Sequence, residues 1–310
     1  MPDREFFYES ADGATRIRAM AWEPERPRAV LQIAHGICGS IAGYEHFAAR
    51  MASCGFAVAG NDHLGHGKSV RRDDDLGFFA EEHGWDCAVH DMRRLRLMTE
   101  ERFPGLPYFM LGHSMGSFLL RTYMIKYPED LSGALICSTG QQPAAMVGAG
   151  AAFLDRYIQR RGARFRSRSL LNLGMGAMNR HLSPTRTPYD WISRDAQYID
   201  RYAARGMAFT PTLGMLRDMV RGLQFIESAE NVRKMRPELP VIFMSGEMDP
   251  VGEEGRGVRR AAISFISGGM RDVSLRLYAD ARHEILNEIN RNEVYGDIAK
   301  WLRSKMTEEE

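Results

Sequence analysis

Four cysteines among 310 residues are too few to staple a chain of this length, and none stands in a Cys-x-x-Cys pair. Cys38, Cys54, Cys87 and Cys137 therefore read as reduced thiols, with the cytosol as the expected compartment. No run approaches the roughly 20 uncharged apolar residues that a membrane span requires. The opening Met1-Pro2-Asp3-Arg4-Glu5 is charged and has no apolar core, so no secretory signal is expected. Internal repeats and low-complexity linkers are missing too. Net charge is scarce: 41 Lys/Arg meet 40 Asp/Glu, leaving +1, which excludes nucleic-acid binding by bulk electrostatics. With 44% hydrophobic and 26% charged residues, the chain has the composition of one medium globular domain, or one domain carrying a large insertion.

The charge that is present is unevenly placed. Residues 140–235 hold fifteen Lys/Arg against seven Asp/Glu, so the rest of the chain is acidic. A basic middle inside an acidic chain points to a separate structural element there.

Short apolar runs set the rhythm on either side of it. Strands are predicted over Glu5–Ser10, Ile17–Trp22, Ala29–Ala34, Phe56–Asn61, Tyr108–Gly112 and Gly133–Ser138. Helices are predicted over Tyr44–Cys54, Asp86–Glu101 and Ser114–Tyr127. Strand alternating with helix argues for a parallel sheet with crossover helices. The rhythm stops over residues 140–237, which are rich in Gly, Ala, Met and Arg and show helical stretches without a clear strand. It resumes with strands at Val241–Ser245 and Val273–Tyr278 and a helix at Glu293–Lys305. The expected organisation is an α/β core, 1–139 plus 238–310, interrupted by a helical cap, with a frayed acidic tail at Glu308–Glu310.

The chemistry concentrates at Gly112-His113-Ser114-Met115-Gly116, a G-x-S-x-G between a predicted strand and a predicted helix. A serine in such a tight turn is lifted above the sheet, and the flanking glycines remove Cβ atoms where strand and helix come close. The helix N-terminus aims its dipole and free N–H groups at a developing oxyanion.

A serine hydroxyl needs a base, and the base needs an orienting acid. On this kind of sheet they follow in the order Ser, acid, His, each after a later strand. Asp249 follows the 241–245 strand and His283 follows the 273–278 strand. Glu247 and Asp280 compete for the acid's place, but one lies nearer its strand and the other too near the base. The loop His35-Gly36-Ile37-Cys38-Gly39-Ser40 should supply the second oxyanion donor, which makes the N–H groups of Ile37 and Met115 the expected pair. Gly36, Cys38 and His113 flank these groups and are the expected substrate-pocket residues, with Cys38 either a small buried side chain or a pocket-facing thiol and His113 a packed or hydrogen-bonded neighbour that faces the wrong way to act as base.

Taken together, these motifs resemble the monoacylglycerol lipase/lysophospholipase branch of the α/β-hydrolases, which includes serine aminopeptidase-like enzymes. The resemblance is carried by His35-Gly36 followed by Tyr44, by Asn61-Asp62-His63-Leu64-Gly65-His66-Gly67-Lys68-Ser69, and by Gly112–Ser117. Gly-Glu-Met-Asp249 and Ala-Arg-His283-Glu continue it, and Tyr189–Asp195 in the cap looks like bacterial members. It implies an α/β-hydrolase fold with a mostly parallel eight-stranded sheet. It also implies Ser114 as nucleophile, His283 as base, Asp249 as its orienter, and Ile37 and Met115 as oxyanion hole. The implied substrate is a small lipid-like ester with one acyl chain, a monoacylglycerol or a lysophospholipid, with no cofactor. One departure is Cys38-Gly39-Ser40, where the family has Gly-Glu-His, and it bears on the acyl pocket beside that loop.

Other features have plainer readings. His63 and His66 are three apart, but Gly65 and Gly67 make a turn and no further ligands are in sight, so no metal is expected. The cap methionines Met146, Met175, Met178, Met207, Met215 and Met219 fit either an acyl channel or plain cap core. Arg156, Arg160, Arg161, Arg164, Arg166 and Arg168 read as a solvated face or as a contact with an anionic membrane surface, which would make the protein peripheral. A short-chain esterase or an acyltransferase would use the same residues, and a non-enzymatic ligand sensor could use the same fold. Dehalogenases and epoxide hydrolases of this fold place an aspartate where Ser114 stands.

Overall fold

A run such as Ala29-Val-Leu-Gln-Ile-Ala34 has apolar groups for both faces of a sheet, and every residue of it is buried. The computed structural model describes residues 1–306, without the side chains of Met175 and Arg205; the tail Glu308–Glu310 lies outside the described residues. Eight strands form one sheet: β1 (Arg4–Glu9), β2 (Arg16–Trp22), β3 (Ala29–Ala34), β4 (Phe56–Asn61), β5 (Tyr108–His113), β6 (Gly133–Cys137), β7 (Val241–Gly246) and β8 (Val273–Tyr278). Their spatial order is β1-β2-β4-β3-β5-β6-β7-β8. The β1–β2 and β2–β4 pairs are antiparallel and the others parallel.

Period-two alternation gives the sheet two cores. Leu31 and Ile33 point to one face, with Phe47 and Met51 of α1 (Glu45–Ser53) and Ile298 and Leu302 of α10 (Arg291–Ser304). Val30 and Ala34 point to the other, with α2 (Gly84–Arg102), α3 (Met115–Lys126) and α9 (Arg256–Ser267). Sequence periodicity passed over α9, although its buried Val258, Ala261, Ala262 and Phe265 fall at helical spacing.

Between β6 and β7 run α4 (Ala144–Arg161), α5 (Arg168–Met178), α6 (Ala196–Arg205), α7 (Leu213–Glu227) and the single turn α8 (Ala229–Val232). An isolated bridge joins Arg166 to Thr212 there. Two of the six arginines singled out in the sequence, Arg164 and Arg166, fasten this layer to the loop that follows β4, Arg164 while remaining partly exposed. Arg164 pairs with Asp75 at 2.9 Å and Glu81 at 3.0 Å and stacks on Phe78, while Arg166 donates to the carbonyls of Asp74, Leu76 and Thr210. Among the described residues, no helix is long and apolar enough to cross a membrane.

Candidate active site

The turn between β5 and α3 forces Ser114 to φ 54°, ψ −123°, a region that costs a non-glycine residue about 1–3 kcal/mol. Its neighbours hold it there. The Ser114 N–H donates to Cys137 O at 3.0 Å, and the Ser117 hydroxyl donates to Ser114 O at 2.6 Å. Strand and helix approach so closely that a Cβ on Gly116 would lie 2.1 Å from the Ala34 carbonyl oxygen, and one on Gly112 would lie 2.4 Å from that of Gly116. Only glycine fits at either place.

The chain end of β7 brings Asp249 to this turn, and the end of β8 brings His283. Ser114 Oγ is 2.9 Å from His283 Nε2, and His283 Nδ1 is 2.9 and 3.0 Å from the two Asp249 oxygens. Asp249 is fully buried and also accepts from the Val251 N–H at 3.0 Å and the Ser245 hydroxyl at 3.3 Å. Its sequence competitors Glu247 and Asp280 are exposed. Burial disfavours the His283 imidazolium, but the charge of Asp249, its hydrogen bond and the charge of Glu284 outweigh burial and raise the pKa above the ordinary histidine value.

Beside the serine, the loop after β3 is fixed by histidines. The His63 N–H donates to His35 Nε2 at 2.9 Å, so the His35 proton sits on Nδ1 and donates to Gly36 O at 2.8 Å. His63 and His66 pack against His35, with ring centroids 4.2 and 5.2 Å away, and burial holds both well below ordinary histidine pKa values. They support the loop as neutral rings. Gly36 N–H donates to the Tyr44 hydroxyl at 3.3 Å, that hydroxyl lies 2.8 Å from His113 Nδ1, and His113 Nε2 faces the His283 carbonyl at 3.3 Å. A carbonyl only accepts, so His113 Nε2 carries the proton and Nδ1 accepts from Tyr44. Tyr44 and His113 thus link the Gly36 loop to the backbone of His283, in keeping with the sequence reading of His113 as a hydrogen-bonded neighbour of the nucleophile. Met115 opens α3, so its N–H has no acceptor one turn back.

Above the serine lies a cavity of about 500 Å³. Its lining includes Gly36, Ile37, His113 and Met115, joined by apolar side chains of α4, α5 and α7. Met178, Met207 and Met219 contribute to it; Met215 is buried in the core and Met146 is 61% exposed. Of the two sequence readings of Cys38, the small buried side chain holds and its place among the pocket residues is corrected. With φ 57° its side chain turns away from the cavity to the Phe209 carbonyl, 3.5 Å from Sγ, and burial pushes the thiol up to about 12. Among the described lining residues, Glu284 is the one carboxylate, and no Lys or Arg is present. A larger groove of about 700 Å³ lies along the 64–83 loop and α2 and contains no member of the Ser114–His283–Asp249 line.

A hydroxyl, an imidazole and a carboxylate in series at the elbow of an eight-stranded, mostly parallel sheet define a serine hydrolase of the α/β-hydrolase fold. Comparison with known proteins narrows the class: residues 25–290 match the family described as serine aminopeptidase, S33, and the chain belongs to that family. It is 27% identical to a monoacylglycerol lipase of Mycolicibacterium smegmatis over 95% of both chains. It is 22% identical to the human monoglyceride lipase, over 92% of this chain and 86% of that one. Among solved structures, a thermostable carboxyl esterase from Bacillus coagulans in complex with glycerol superposes with a TM-score of 0.91 at 29% identity, covering 99% of this chain and all of the other. These findings agree with the family resemblance carried by Gly112–Ser117.

Proposed function

We propose that this enzyme hydrolyses carboxylic esters through an acyl-enzyme on Ser114, with a monoacylglycerol-like lipid as substrate. The observation that carries this reading is the Ser114–His283–Asp249 line, with 2.9 Å steps, on the floor of an apolar cavity. Ser114 Oγ bonds to the ester carbonyl carbon while His283 Nε2 takes its proton. The N–H groups of Ile37 and Met115 receive the oxyanion. Collapse breaks the acyl–oxygen bond, and His283 returns the proton to the departing alcohol. Water then adds to the acyl-Ser114 carbonyl, giving its proton to His283; the acid leaves and the proton goes back to Ser114 Oγ. Asp249 holds the Nδ1–H tautomer and stabilises the imidazolium.

The lining also bears on the head group. A phosphate would enter a low-dielectric cavity beside Glu284 without a Lys or Arg to meet it, so its desolvation would go uncompensated. This favours a neutral alcohol over a lysophospholipid. An aminopeptidase would need carboxylates to hold a substrate ammonium, and among the described lining residues only Glu284 could serve, with one of its oxygens already accepting from Asn287. The test is hydrolysis of p-nitrophenyl esters from acetate to palmitate, followed by monoacylglycerol against lysophosphatidylcholine of the same chain. Activity should peak at medium or long chains and favour monoacylglycerol. Activity confined to acetate and butyrate, or preference for the lysophospholipid, would sink the respective half of the reading.

Residues 140–237 then act as the cap over this cavity, and its outer face supports contact with a lipid surface. Phe153 and Leu173 are 54% and 73% exposed and share a groove with Arg156 and Arg160. Sedimentation with phosphatidylglycerol vesicles should exceed that with phosphatidylcholine, weaken at high salt, and fall in a Phe153→Asp/Leu173→Asp variant. Equal sedimentation of variant and wild type would refute this contact.

A further inference from the structure

Glu288 is fully buried just after the base loop, and its carboxylate accepts four hydrogen bonds. Oε1 takes the N–H groups of Arg282 at 2.9 Å and Arg194 at 3.0 Å; Oε2 takes Arg194 Nε at 3.1 Å and the Ile289 N–H at 3.0 Å. Two of these donor residues stand on opposite sides of the boundary between sheet and cap. Arg282 immediately precedes His283, while Arg194 closes the cap stretch that runs from Tyr189.

The same stretch is bonded to the base loop along its length. The His283 N–H donates to Trp191 O at 3.3 Å and the Glu284 N–H to Ile192 O at 2.7 Å. The Arg282 guanidinium reaches the carbonyls of Asp190 and Ser193. The Trp191 ring faces the His283 imidazole, with centroids 5.1 Å apart. Space-filling alone would be served at less cost by an apolar side chain, because burying a carboxylate carries a desolvation penalty. What an apolar residue cannot do is hold three backbone N–H groups and a guanidinium at once, with charge-assisted bonds that fix direction.

We propose that Glu288 and Arg194 form a positioning pair that sets the His283 imidazole in line with Ser114 and Asp249 by clamping the peptide before the base to the cap. The pair does not touch substrate; it acts through His283. The inference rests on His283 being the general base. Because Trp191 lines the cavity and belongs to the clamped stretch, the pair also ties the cap's inner wall to the triad.

The experiment is the rate at which a small fluorophosphonate labels Ser114, alongside kcat and KM for p-nitrophenyl butyrate, in Glu288→Gln, Arg194→Ala and Arg194→Lys. Labelling needs the nucleophile and its base but not a filled acyl cavity. A neutral amide of the same shape cannot accept from all four donors. Glu288→Gln should slow labelling and kcat by about ten- to a hundredfold, the range for a displacement of about 1 Å, with KM little changed. Arg194→Ala should lose about tenfold, and Arg194→Lys should regain part of it. Variants that melt at lower temperature yet label at the wild-type rate while folded would overturn the proposal. If Glu288→Gln does not fold, Arg194→Ala decides in the same way. Failure of the wild type to label at Ser114 would instead overturn the triad reading itself.

Discussion

Replacing Ser114 by alanine is expected to lower ester hydrolysis by about 10⁴- to 10⁶-fold while leaving the fold intact. The size follows from what remains once the hydroxyl is gone. His283 and Asp249 keep their bond, and the N–H groups of Ile37 and Met115, the proposed oxyanion donors, are untouched, so the residual catalysis expected is that of an oriented base and those donors acting on water. Nearby hydroxyls do not substitute. The Ser117 hydroxyl is engaged with Ser114 O and Thr139, and the Ser138 hydroxyl donates to His283 O. Stability should be nearly unchanged, because alanine meets the same strain at φ 54° and the backbone anchors to Cys137 and Ser117 survive. The check is kcat with p-nitrophenyl octanoate, with circular dichroism and the melting temperature run beside it. More than about 1% of wild-type activity in a folded, uncontaminated variant would remove Ser114 from the mechanism.

The parts of this site that were legible in the sequence are those whose geometry is local. Gly112-His-Ser-Met-Gly116 announces itself because close strand–helix approach demands glycine within five residues of the nucleophile. Asp249 and His283 followed from chain order, since each sits just beyond a run that is apolar enough to be a strand. What sequence alone left out depends on where distant side chains point. Cys38 is adjacent to Ile37, yet a positive φ aims its sulfur at Phe209, 171 positions away, and off the cavity. Tyr44 and His113 meet across 69 positions. Glu288 reads as one more charge near a helix start until folding brings Arg194 to it across 94 positions. The arginines of residues 156–168 show the same limit: the sequence grouped six together, but tertiary contacts sort Arg164 and Arg166 into fasteners and leave Arg156 and Arg160 beside exposed apolar side chains.

Changing Asp249 to asparagine is expected to cost about 10⁴-fold in kcat while leaving substrate binding nearly unaffected. The loss comes from the tautomer rather than from the missing charge alone. An amide nitrogen facing Nδ1 donates to it, which drives the imidazole proton to Nε2. There it points at Ser114 Oγ and cannot accept that proton. Flipping the amide does not remove the conflict, because both carboxylate positions lie within 3.0 Å of Nδ1, and in one of them the nitrogen would also face the Val251 N–H. The pH dependence gives an independent sign. Activity requires neutral His283, so it is present above the His283 pKa and lost as pH falls through it. In the wild type, burial lowers that pKa, but the charge and hydrogen bond of Asp249, with the charge of Glu284, raise it above the ordinary value, so the acid limb lies above about 6.5. Without the Asp249 charge, burial faces only Glu284, and His113 is held neutral by its own burial. The residual activity of Asp249→Asn should therefore persist to lower pH than that of the wild type, with its acid limb displaced downward. Measuring kcat/KM from about pH 5 to 9 for both proteins decides it. A variant within tenfold of wild type, or an acid limb that moves up, would mean that Asp249 does not set the state of His283.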